Sequence, residues 1–139
     1  MKCLVVTLTL GSTSALATRA ASVDEIANRS GLPTSEITAA QSNCEADQTG
    51  MNLCAWRDQI IAEQRLEQQV VDVMAGTSTA CRTALERKIA AWKKRRDTNC
   101  TRSASDEWGN GSMLPTAVSM CKTAETERMR KAIGSEKCK

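Results

Sequence analysis

The chain has no histidine, no phenylalanine and no tyrosine, and its 139 residues include only three tryptophans and two prolines. Lack of histidine removes the usual general base and the commonest metal ligand together. No C-x-x-C pair exists either, so a zinc site has no ligand set to draw on. Scarcity of aromatics leaves Leu, Ile, Val, Met, Ala and the tryptophans to fill one modest core, which suits a single small domain. Beyond the N-terminus no segment approaches the ~20 apolar residues of a membrane span. Catalysis without histidine needs paired carboxylates or a Ser–Lys dyad. Asp106-Glu107 are mere sequence neighbours, and the run Lys93-Lys94-Arg95-Arg96-Asp97 contains no nucleophile. These absences argue for a binding protein without cofactor or metal.

What is present begins with "MKCLVVTLTLGSTSALATRA": a lysine, an apolar stretch from Cys3 to Leu10, then small residues through Ala15-Leu16-Ala17. That is the pattern of a secretory signal, expected over residues 1–21. Its removal takes away Lys2 and Arg19 and no acid. The chain's 19 bases against 16 acids, a net charge of +3, then fall to 17 against 16, about +1. A near-neutral domain does not suit nucleic acid as its main partner. Six cysteines remain, Cys44, Cys54, Cys81, Cys100, Cys121 and Cys138. An even number in a small exported domain reads as three disulfides, and hence as a periplasmic or secreted location.

The apolar pattern is helical throughout. Residues 22–43 form an N-terminal arm: Ser22-x-x-Glu25 reads as a capping box, and Gly31 with Pro33 ends the segment. From Thr49 to Met74, Leu53, Trp56, Ile60, Leu66, Val70, Val73 and Met74 recur at near-helical spacing, with Glu63 interrupting the stripe. Gly76 breaks this helix. A second is expected from Thr79 to Asn99 along Cys81, Leu85, Ile89, Trp92 and Arg96. Residues 101–115 read as a long turn-rich connection, and Pro115 opens a third helix that runs to Ile133. The expected fold is all-α, a disulfide-stapled bundle of three main helices in up-down-up order over residues 44–139, with the arm beside it. Folding the first helix onto the second about residue 77 places Cys54 and Cys100 equally far from the bend. This register favours the pairs 54–100, 44–121 and 81–138, although spacing alone leaves exchange among the first four cysteines open.

The stretch "WKKRRDTNC", Trp92 to Cys100, gives the most specific signal. Trp92 continues the core stripe, and Arg96 on the same face demands a carboxylate, with Glu45 or Asp47 as candidates. Lys93, Lys94 and Arg95 fit a solvated helix end where cations are favoured. Trp92, Arg96, Asp97 and Cys100 at this spacing resemble the signature of the LprI-type lysozyme-inhibitor family. "MNLCA" (Met51 to Ala55), Leu66, "GNGSM" (Gly109 to Met113) and Cys121 followed by Thr126 are similar to further family positions in order. The chain departs from the family at Arg95, Glu67 and Val70, which replace an aromatic, an asparagine and a tyrosine, and in the offset of Arg128 and Arg130. Cys81 and Cys138 look like an added pair. The resemblance implies a non-enzymatic inhibitor that occludes the lysozyme cleft, whose two carboxylates could be met by a donor-rich loop. Trp108, Asn110 and Ser112 on the glycine-rich connection, and the bases Lys93, Lys94 and Arg95, are the candidate contacts. The alternative is a general periplasmic envelope-stress or protein-interaction module that does not touch lysozyme.

Overall fold

The computed structural model describes residues 23–135; the expected signal segment, Ser22 and Cys138 lie outside the described residues. Five helices account for nearly all of this span, and no strand occurs among the described residues. Helix α1 covers residues 23–30 and closes on Gly31, whose φ of +72° lets its N–H reach the Ala27 carbonyl at 2.9 Å. Helix α2, Thr34–Ser42, starts directly after Pro33. The two helices pack Val23, Ile26, Ala27, Ile37 and Ala40 against Leu53, Trp56 and Ile60 of the next helix. Ile26 and Ile37 are completely buried, so this arm is a packed helical pair rather than a loose lead.

The three long helices follow as the apolar stripes require. Helix α3 is Gln48–Met74, started by Asp47, whose carboxylate accepts from the Gly50 N–H at 2.7 Å. Gly50 is set by space: a Cβ there would come within 3.0 Å of the Asn43 carbonyl and 3.2 Å of the Ala40 carbonyl. Helix α4, Thr79–Trp108, is capped by Ser78, and helix α5, Leu114–Gly134, carries Pro115 in its first turn. Leu66, Leu85, Trp92 and Ile133 form the central core, with Val70, Val73, Met74, Ile89 and Met129 around them. Contacts of Asn52 with Thr116 and of Arg65 with Glu127 run α5 parallel to α3, and α4 lies antiparallel to both. This is the expected up-down-up bundle.

One element differs in length. The segment expected as a long loop from residue 101 is helical as far as Trp108, leaving only residues 109–113 to turn the chain. Residues 101–107 include several weak helix formers but no breaker, and buried Ala104 fastens the extension to the bundle. Helix length here follows packing, not propensity.

The disulfide pairs also differ from the expected ones. Cys44 joins Cys54, and Cys100 joins Cys121, rather than 54–100 and 44–121. The cause is register. Glu63–Arg96 and Glu67–Lys93 are the observed cross-hairpin pairs, and both are centred near residue 80 instead of 77. The position opposite Cys54 is therefore near residue 105, about 7 Å beyond Cys100 at 1.5 Å per residue, and Cys100 instead faces α5. Cys81 is also disulfide-bonded.

Candidate functional site

Two features could carry function, and they do different work. The first is a polar knot inside the bundle, built by two charged interruptions in otherwise apolar stripes. Arg96 of α4 has a side chain only 3% exposed, and Glu63 of α3 meets it at 2.9 Å. Asp97 Oδ1 accepts from Arg96 Nε at 2.9 Å and from Nη2 at 2.7 Å, while Arg96 Nη1 donates to Thr126 of α5 at 2.7 Å. Thr126 is fully buried, and its own hydroxyl donates a hydrogen bond to the Lys122 carbonyl at 2.6 Å. Lys122 in turn lies 3.5 Å from Asp97, and the Arg96 guanidinium stacks 5.2 Å from the Trp92 ring centre. One turn away, the Cys100–Cys121 bond locks α4 to α5.

This arrangement corrects one expectation. Neither Glu45 nor Asp47 is the partner of Arg96: Asp47 is committed to capping α3, and Glu45 is exposed. Asp97, although adjacent in sequence, does reach Arg96, because the long arginine side chain bends back to it. Glu63 was visible as the one break in the α3 stripe, and pairing the two breaks would have found it. The buried centre of the knot is Arg96 with Thr126, and through Glu63, Asp97 and Thr126 the arginine ties three helices together.

The second feature is the tip formed where α4 turns into α5. Trp108 is the last residue of α4 and is 42% exposed. Gly109 takes φ +57° and donates to the Ser105 carbonyl at 2.8 Å, and the Gly111 N–H donates to the Trp108 carbonyl at 3.0 Å. The Leu114 N–H closes the turn on the Gly111 carbonyl at 3.0 Å. Gly111 has no room for a side chain, since a Cβ would lie 3.0 Å from the Trp108 carbonyl. Asn110 and Ser112 stand exposed on this short, internally bonded turn, with Asp106 and Glu107 exposed just before it.

Lys93, Lys94 and Arg95 are not brought to that tip. They lie in the interior of α4, roughly 20 Å short of Trp108 by helical rise, so the expected helix end with its favourable dipole does not exist there. Lys93 reaches Glu67 at 3.7 Å, while Lys94 and Arg95 are exposed. A groove of about 610 Å³, unforeseen from sequence, opens between arm and bundle, lined by Arg29, Trp56, Thr101, Pro115, Val118 and Lys122. No group of metal-ligating side chains comes together among the described residues, and none of their helices is long and apolar enough to cross a membrane.

No curated protein and no solved structure gives a match. A family model described as lysozyme inhibitor LprI matches residues 39–132, which span α3, α4, both described disulfides and nearly all of α5. With more than half of its length matched, the chain belongs to the LprI lysozyme-inhibitor family.

Proposed function

We propose that this protein is an exported, non-enzymatic inhibitor that binds lysozyme and covers its active-site cleft with the α4–α5 tip. The family match over residues 39–132 is the observation that carries this reading. The tip supplies what such an occupant needs. Trp108 offers a half-exposed aromatic anchor, and the Asn110 amide and Ser112 hydroxyl offer hydrogen-bond donors to the cleft carboxylates. Internal hydrogen bonds hold the turn in one shape, so little conformational freedom is lost on docking. Exposed Asp106 and Glu107 give this end of a near-neutral domain a negative local field, complementary to a cationic enzyme. The basic stretch at Lys94 and Arg95 has the opposite sign and is the poorer contact for such a target.

Export of the chain by residues 1–21 places it in the periplasm or outside the cell, where the disulfides persist. The test is residual lytic activity on cell-wall substrate with lysozymes of several types. The wild-type chain should suppress at least one of them, and Trp108→Ala should need about 30-fold more protein, the equivalent of one interface hot spot of about 2 kcal/mol. Undiminished lysis by every lysozyme type at excess wild-type protein would remove the inhibitor reading. Full inhibition by Trp108→Ala would remove the tip as its contact.

A further inference from the structure

A second surface lies at the other half of the hairpin. Between α3 and α4 an apolar groove of about 280 Å³ is lined by Leu66, Val70, Val71, Met74 and Ile89, with charged side chains on its rim. Val71 is 61% exposed there, an unusual position for a valine beside the core. Helix α5 packs Met129 and Ile133 into the same core, and the apolar packing of the arm ends at Ile60.

We propose that this groove is a self-association surface, and that its occupant is a second copy of the chain related by a two-fold axis. The charge order along α4 carries the argument. Glu86, Ile89 and Lys93 all line the groove, so they share one stripe of the helix. Two α4 helices laid antiparallel and crossing between Ile89 and Ala90 bring Glu86 of each copy opposite Lys93 of the other, since 86 and 93 are equidistant from 89.5. The stripe thus reads minus, apolar, plus and is complementary to its own reversal. A two-fold contact requires that property of a surface. Lys93 is only loosely engaged within its own chain, 3.7 Å from Glu67 on an exposed rim, and remains able to reach across. The apolar centre would be filled by Val71 and Ile89 from both copies. Trp108 lies 18.5 residues from the crossing point, so the two tips stand roughly 55 Å apart at opposite ends. Both remain free to bind.

Sedimentation equilibrium of the full oxidised chain, without lysozyme, tests this directly and independently of inhibition. The contact is small, so association is expected on the order of 10–100 µM, with the average mass rising from one chain toward two over that range. Glu86→Lys and Lys93→Glu should each hold the chain monomeric, because each sets like charges face to face twice per dimer. Combining the two substitutions restores opposite charges and should restore dimerisation to within about threefold of wild type. Circular dichroism of each variant checks that its helices are intact. A wild-type mass that stays at one chain through the highest concentration overturns the proposal, as does a double variant that remains monomeric while folded.

Discussion

Thr126→Val would test whether the polar knot holds the bundle. The substitution keeps the β-branched shape and removes one oxygen, the acceptor for Arg96 Nη1 at 2.7 Å. The Lys122 carbonyl loses only an extra donor, since it sits inside α5 and keeps its place in the helix ladder. The cost falls on Arg96, whose buried guanidinium then carries a donor with no acceptor. A hydrogen bond to a charged group is worth about 1.5–3 kcal/mol. For the roughly 110 described residues this corresponds to a fall in Tm of about 6–13 °C, using ~2.1 cal/mol/K per residue for the unfolding entropy. Urea and thermal unfolding followed by circular dichroism give the two quantities separately. Thr126→Ser, which keeps the hydroxyl, should be the less damaging change. In an Arg96→Met background, Thr126→Val should cost under about 0.5 kcal/mol, because the donor it orphans is gone. A Tm within ~2 °C of wild type for Thr126→Val, or an undiminished cost in the Arg96→Met background, would refute the account of the knot as a cross-helix lock.

Two further outcomes concern stability. Replacing Cys100 and Cys121 by serine should cost about 3.3 kcal/mol, and replacing Cys44 and Cys54 about 2.7 kcal/mol, from the chain-entropy model applied to separations of 21 and 10 residues. Limited proteolysis should separate them further, with early cleavage in the arm only for the second pair; peptide mapping without reductant that returned 54–100 would contradict both. Gly50→Ala ordinarily strengthens a helix by about 0.5–1 kcal/mol, but the 3.0 and 3.2 Å approaches to the Asn43 and Ala40 carbonyls should reverse the sign to about 1–2 kcal/mol of destabilisation. A rise in the urea midpoint would show that the α2–α3 corner has slack.

Much of the fold was legible because its signals are local. The apolar stripes of α3 and α4, the break at Gly76 and the proline start of α5 each announce themselves within a few residues. The partner of Arg96 and the disulfide connectivity were not, because both depend on register between distant helices. A shift of the hairpin centre by about three residues moves each cross-hairpin partner by about twice that, enough to exchange one cysteine for another. The extension of α4 to Trp108 was hidden for another reason: serine, threonine and aspartate weaken helices locally, and only packing of Cys100 and Ala104 overrides them. For the site, the tip residues were readable as a glycine-rich turn, while the separation of Lys93, Lys94 and Arg95 from it followed only from the true helix length.

The two described bridges are sequential: neither encloses the other, and each joins cysteines on neighbouring elements. A polypeptide threaded into an oxidising compartment from its N-terminus can therefore seal Cys44 to Cys54 before Cys100 has emerged. Of these four thiols, the first pair is already consumed when the second arrives, so a wrong partner is never on offer between them. Among these four positions, order of emergence alone favours the observed pairing.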